Sequence, residues 1–349
     1  MPGFESIIEQ ERPVRILRTL YRKETIPHAL LFTGQEGVGK HRAAIALAMI
    51  CNCTGRETSL PSHDDAQTRL RSASIRKDEP CGVCPACRKI LSGNHPDVIR
   101  TGPTGATIKI AQVRALCETL SMKPYEARMR VAIVADAHTM NPSAGNALLK
   151  MLEEPPDRTI LILTAPQRVD LLPTIVSRCQ LVRFSPITRR TIAAELVEKH
   201  GLEKQAASVL AAVSNGSLTR AKTLVQSDWL RHRSWLIAAS GMMAPERLDI
   251  RDTGQLLAFA ETLSTRKETI SDSLATLLTW LRDLIVCRYA PERIVNTDLI
   301  DMLQSVSEKN PVGTLLDKMD AIRTAQKDIE ANANLRLTLE VMMLRLAAA

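Results

Sequence analysis

Two groups of residues in the first third of the chain have the types and spacing for chemistry. Residues 34–41 read Gly-Gln-Glu-Gly-Val-Gly-Lys-His, close to the phosphate-cradling pattern G-x-x-x-x-G-K-[ST]. Gly34, Gly37 and Gly39 let backbone N–H groups turn inward around phosphate oxygens, and a following helix adds the positive end of its dipole. Lys40 would reach the outer phosphates. The last position calls for a Ser or Thr hydroxyl on Mg²⁺, and His41 stands there instead. An NTPase also needs an acidic pair at the end of a buried strand, one carboxylate orienting Mg²⁺ and the other activating water. The apolar run Val131-Ala132-Ile133-Val134-Ala135 offers the strand, but Asp136 alone follows before Ala137 and His138. Two metal-facing elements depart from the pattern, which points to weak or absent hydrolysis. The competing reading is a Gly-rich turn with no ligand. The flanking strand and helix favour a phosphate loop, whose occupant is left open between ATP, ADP and none.

The second group is Cys81-Gly-Val-Cys84-Pro-Ala-Cys87. Three thiolates at C-x₂-C-x₂-C spacing can surround a tetrahedral Zn²⁺, and a closed structural site needs a fourth ligand. Cys51 and Cys53 are both placed to supply it. Iron–sulfur ligation is the rival, but the bacterial ferredoxin run continues C-x₃-C-P and this one does not. Buried free thiols are the remaining alternative. Four thiolates would leave no open position for water, so the role would be structural. Cys117 and Cys287 lie within helical patterns and read as core cysteines.

These groups need a frame. The chain has 349 residues, 45% of them hydrophobic and 3% aromatic. That composition supplies ample core and argues against aromatic stacking platforms for single-stranded nucleic acid. The net charge of +8 is scattered rather than run together, so it permits acidic partners without specifying them. Met1-Pro2-Gly3 opens directly into a charged segment, and no apolar run approaches membrane-spanning length. The expectation is a cytoplasmic protein whose cysteines serve a metal rather than disulfides.

A helical period over 5–22 precedes a strand at Leu30–Thr33, then the glycine loop and an Ala-rich helix. Residues 54–80 are polar and read as a solvated insertion. Short strands are expected after Pro96, at 131–135, 160–163 and 181–184, with helices at 108–120 and after Asn141, whose side chain can cap a helix beginning at Pro142. Strands alternating with helices through residue 184 imply a parallel sheet covered on both faces. Beyond Pro186 only helical periods follow, at 188–199, 203–213, 219–226 and onward. The expected domains are 1–186 (α/β), 187–232 (small, helical) and 233–349 (all-α).

Several stretches together resemble the bacterial clamp-loader subunits of the AAA+ class. They are Ile26-Pro-His-Ala-Leu-Leu-Phe32, the CGVCPAC cluster followed by His95-Pro96-Asp97, Asn146-Ala-Leu-Leu-Lys-Met-Leu-Glu-Glu-Pro-Pro156, Leu172-Pro-Thr-Ile-Val-Ser-Arg-Cys179, and Asn334-Leu-Arg-Leu-Thr-Leu-Glu340. The resemblance implies a RecA-like AAA+ module, a helical lid and a helical collar that joins a hetero-oligomeric ring. With gamma/tau and delta subunits, that ring places a sliding clamp on primed DNA during replication by DNA polymerase III. The family's helix-end cysteine falls on Cys53, implying a zinc set of Cys53, Cys81, Cys84 and Cys87.

The same resemblance puts Ala135 where motor subunits carry the Mg²⁺-orienting Asp, and Asp136 in the place of their catalytic Glu. Thr164 matches the nucleotide-sensing position, and Thr219 stands where motors carry an Arg, with Arg220 adjacent. Arg178 of Ser-Arg-Cys is implied to be an arginine finger reaching a neighbour's nucleotide. Glu153-Glu154, followed by two prolines, reads as a helix-end ion-pairing site. The combination implies a stator-like subunit that hydrolyses little itself. The alternatives are an active AAA+ motor with an unusual metal site and a zinc-dependent DNA-binding module.

Overall fold

The computed structural model describes residues 3–55, 78–240, 253–265 and 269–348. Two compact units result, Met1–Thr188 with Gly216–Thr219, and Arg189–Asn215 with Arg220–Ala349.

The first unit is built on five parallel strands: β1 (Ala29–Thr33), β2 (Val98–Thr101), β3 (Arg130–Val134), β4 (Thr159–Ala165) and β5 (Gln180–Arg183). Their order is β2-β3-β4-β1-β5. Every residue of β1, β3 and β4 is buried, as continuous apolar runs in a two-sided sheet require. Successive side chains point to opposite faces, and two cores follow from that alternation. Leu30, Phe32, Val131, Ile133, Ile160 and Ile162 enter one. Ala29, Leu31, Ala132, Val134, Leu161 and Leu163 enter the other.

Helices α1 (Glu11–Arg22) and α2 (Lys40–Asn52) contribute to the first core, and the short α3 (Pro85–Ser92) joins them there. Helices α4 (Ile110–Ser121) and α5 (Pro142–Glu153) cover the other face. Asn141 caps α5 as expected, its Oδ1 accepting from the Ala144 amide at 2.8 Å. The period over 5–22 is not one helix. A 3-10 turn at Phe4–Ser6 precedes α1, and Glu9 between them takes a left-handed φ of 53°.

The reading of 54–80 as a solvated insertion needs correction at its C-terminal end. Residues 56–77 lie outside the described residues, but Asp78 and Glu79 are buried. Asp78 pairs with Arg22, and Glu79 pairs with Arg18 and accepts the Phe4 amide. The segment therefore returns to α1 through carboxylates, which polarity alone did not reveal.

Asp97 is the anchor of the β2 edge. Its carboxylate accepts the amides of Tyr125, Glu126 and Ala127 at 2.8–2.9 Å and pairs with Arg130 at 3.2 Å. Burial works to raise its pKa, but these donors outweigh it and hold the carboxyl at about 2.

The second unit is helical: Arg189–His200, Lys204–Val213, Leu218–Gln226, Trp229–Ala239, Thr253–Thr265, Ile270–Tyr289, Ile300–Lys309, Val312–Glu330 and Leu335–Ala348. The Leu218–Gln226 helix begins in the first unit. The core gathers Phe259, Leu277, Trp280, Leu303, Ile322 and Met343. Buried Asp283 accepts the amides of Val295 and Asn296 and the Asn296 side-chain amide. Asn296 Oδ1 in turn accepts from buried Arg233 at 2.9 Å, which also pairs with Asp298.

Replacing Asp97 with Asn should destabilise the first unit by ~3 kcal/mol, since Arg130 would lose its buried counter-charge. Because the folded pKa is depressed, the carboxylate's contribution is present above its ordinary 3.8 and is lost as pH falls through about 2. Chemical denaturation at pH 7 and at pH 2.5 measures both; equal midpoints for the two proteins at pH 7 would refute the anchor.

Candidate functional site: the glycine loop, the strand ends and the cysteine cluster

The glycine loop sits at the C-terminal end of β1, where ligands bind in open α/β sheets. Gly37 and Gly39 have φ of 77° and 108°, a region that other residues enter only at a cost. Gly34 at φ 146° passes so close to β5 that an added Cβ would lie 2.6 Å from the Phe184 carbonyl. A Cβ on Gly37 would collide with the Ser217 hydroxyl and Thr219. The Ser217–Thr219 segment, whose Thr219 the resemblance sets against a motor Arg, thus packs directly on the loop, a closeness that sequence spacing does not show.

Lys40 begins α2 and is buried. Its ammonium donates to the carbonyl of Gly34, and to that of Gln35 at 2.9 Å. Desolvation lowers its pKa, against the opposing pull of Asp136 and Glu36. The lysine that would hold outer phosphates is therefore engaged by its own loop. His41 is held toward its neutral form, first by partial desolvation and then by the guanidinium of Arg100 on β2. That neighbour was not foreseen, because residue 100 is distant in sequence.

Asp136 and Thr164 do come together. They follow β3 and close β4, and the Asp136 amide donates to Thr164 Oγ1 at 3.0 Å. Asp136 has a left-handed φ of 50°, an uncommon conformation for a residue with a side chain. Strand pairing of Val134 with Leu163 accounts for the juxtaposition.

Arg178 is exposed, just after a short helical turn, Pro173–Val176. It pairs with Glu153 at 2.6 Å and donates to the Thr174 carbonyl at 3.0 Å. Glu153, the last residue of α5, is thus an ion-pairing site at a helix end, and Arg178 is its partner.

Of Cys51 and Cys53, it is Cys53 that clusters with the other three cysteines. Sulfurs of Cys53, Cys81, Cys84 and Cys87 lie within 4.8 Å of one another, and all four residues are buried. Cys51 is buried but outside this group. Backbone amides donate to sulfur in sequence: Cys81 to Cys53 at 3.4 Å, Cys84 to Cys81 at 3.3 Å, and Cys87 to Cys84 at 3.4 Å. Such bonds stabilise thiolates. A hydrogen bond from Cys87 leads the effects that lower Cys53 to about 4, while the same bond, with burial, pushes Cys87 up. At Cys84 burial acts upward, but a set of hydrogen bonds led by the Cys87 amide brings it down to about 7. Gly55 completes the cradle, since a Cβ there would lie 2.8 Å from Cys81 Sγ. The four residues fit a metal ion, with each sulfur a ligand. Cys117, Cys179 and Cys287 are partly buried and lie outside the cluster.

With this geometry in hand, comparison with known proteins is decisive. The sequence model described as "DNA polymerase III, delta subunit" matches residues 9–70 and 66–188, and that for the C-terminal part of the delta subunit matches 247–348. The chain belongs to this family. Subunit delta' of DNA polymerase III from Bacillus subtilis is 28% identical, over 97% of this chain and 96% of the relative. Subunit tau of the same organism is 25% identical over 98% of this chain, which spans 61% of tau's length. Among solved structures, a DNA polymerase III gamma subunit-related protein of Thermotoga maritima covers 96% of this chain and 98% of its own at 19% identity, with a TM-score of 0.38.

Gly37→Ala should strain both backbone and packing and lower stability by ~1–3 kcal/mol. Gly105, which also has positive φ but has open space around it, provides the control for backbone strain alone. If thermal melts show Gly37→Ala no worse than Gly105→Ala, the close packing of Ser217 on the loop is wrong.

Proposed function

We propose that the chain is a delta-prime-like, non-motor subunit of the DNA polymerase III clamp loader. In this reading it joins gamma/tau and delta subunits, helps to open a sliding clamp for primed DNA, and lends Arg178 to a neighbour's ATPase site. The observation that carries it is the correspondence with delta' over nearly the whole of both chains. Tau-type relatives support membership of the same assembly, but are matched over a smaller share of their length. Division into a RecA-like module (1–186), a lid (187–232) and a collar (233–349) belongs to the same proposal.

The loop supports a subunit that does not turn over nucleotide. Lys40 is spent on loop carbonyls, His41 replaces the metal-binding hydroxyl, and Ala135 leaves Asp136 as a lone carboxylate. Motor chemistry needs two groups on Mg²⁺ and water, and this chain offers neither set complete.

Arg178 is suited to act elsewhere. Its side chain is 37% exposed and that of Glu153 is 50% exposed. A surface ion pair of this kind contributes ~1 kcal/mol or less. Exchange of the Glu153 carboxylate for a neighbour's phosphate is therefore cheap, and the gain falls on the transferring phosphoryl.

The metal in the cysteine cluster is zinc, on the grounds that four buried thiolates with no water position suit a tetrahedral structural ion. It would close the segment between Cys53 and Cys81. Among the described residues no helix is long and apolar enough to cross a membrane.

Two outcomes are expected. The isolated protein should show background ATPase activity, while Arg178→Ala in the assembled complex should silence the site it reaches by ~10³-fold, seen as a partial loss of total DNA-stimulated turnover. Full activity in a normally assembled complex would remove the finger role. Purified protein should carry equimolar zinc, and Cys84→Ser should lose the metal and unfold at lower temperature. A metal-free wild type of undiminished stability would overturn the zinc assignment.

A further inference from the structure

The second unit carries an open cavity of about 280 Å³ that the clamp-loader reading does not use. Arg189, Arg220, Arg282, Asp272, Thr276 and Trp229 are among the residues that line it. Three arginines and one acidic residue, Asp272, thus line it, and Asp272 pairs with Arg220 at 3.2 Å. Arg282 donates to Asp283 at 2.8 Å, but that carboxylate is wholly buried and also receives two backbone amides and the Asn296 side chain. Asp283 thus divides its acceptor capacity between Arg282 and three other donors. No carboxylate among the described residues pairs with Arg189.

The placement of these cations sharpens the imbalance. Arg189 is the first residue of Arg189–His200, and Arg220 lies in the first turn of Leu218–Gln226. A positive charge at a helix N-terminus meets the positive end of the dipole and is disfavoured. Asp272, by contrast, sits favourably in the first turn of its own helix. The lining therefore holds one more arginine than paired carboxylates, with Arg189 and Arg220 at helix starts where a positive charge is disfavoured. An anion with several oxygens would offset both the mutual repulsion and the dipole terms, and arginine is the side chain that grips such oxygens in pairs.

We propose that this cavity is a binding site for a polyphosphate group, gripped by Arg189, Arg220 and Arg282. The phosphates belong either to a small free polyphosphate or to a nucleic-acid backbone. Its lining residues all belong to the second unit, and those of the glycine loop to the first.

The test uses full-length protein carrying Lys40→Ala, so that the glycine loop is not the reporter. Calorimetric titration with inorganic pyrophosphate should show saturable one-to-one binding, weakened at least ~10-fold by Arg189→Ala, the size expected for losing one charge-assisted contact. Arg189 is exposed, so this variant should stay folded, and its circular dichroism checks that. Arg220→Ala should act similarly. A parallel titration with a short single-stranded oligonucleotide identifies the source. Binding of the oligonucleotide that is lost with Arg189→Ala assigns the site to backbone phosphates, whereas pyrophosphate binding alone assigns it to a free polyphosphate. Absence of saturable pyrophosphate binding, or binding indifferent to Arg189→Ala, overturns the proposal.

Discussion

The pairing of β1 between β4 and β5 is the constraint on which the first unit depends. Leu30 is paired with Ile162 on one side and Gln180 on the other. A slip of one residue would exchange the side chains of the two cores. Large residues such as Phe32 would then occupy space now filled by Ala29 or Leu31. With register fixed, the strands' C-terminal ends are fixed as well. Gly34, Asp136 and Thr164 gather at the C-terminal end of the sheet because their strands are parallel neighbours.

Helix α2 carries that order away from the sheet. Its first residue is Lys40 and its C-cap is Cys53, so one rigid element sets both the glycine loop and the first cysteine of the cluster. Asn52 ties the far end down, exchanging hydrogen bonds of 2.9 and 3.0 Å with the backbone of Met129 just before β3. The helix is therefore held at the loop by Lys40 and near the metal cluster by Asn52. Cys51, two residues earlier and still inside the helix, lies outside the group that Cys53 forms with the other three.

The strands and the helical second half were legible because buried parallel strands and amphipathic helices leave periodic signals. The cysteine set was legible because C-x₂-C-x₂-C constrains three ligands locally, and the family resemblance selected Cys53. Contacts between distant residues were not legible. Nothing near Ser217 announces that it closes on Gly37, and nothing near Glu79 announces its pairing with Arg18. The break between the Phe4–Ser6 turn and α1 was hidden for a different reason. Apolar spacing continued through Glu9, while its backbone adopted a conformation that the pattern does not encode.

The ionic contacts fall into two physical kinds, and the difference separates scaffold from function. Asp97 with Arg130, and Arg233 with Asp298, involve buried guanidinium groups with further hydrogen bonds. Removing one partner from such a pair leaves a charge stranded in low dielectric, so these contacts cannot be exchanged during a working cycle. Arg178 with Glu153, and Arg220 with Asp272, are exposed on both sides. Solvent already competes for them, and either arginine can leave its carboxylate for a phosphate at little cost. A chain whose own glycine loop is occupied by Lys40 thus keeps its adaptable cations exposed, beside Glu153 and in the helical unit. Under the proposed function, such exchangeable arginines would serve phosphates supplied by other molecules.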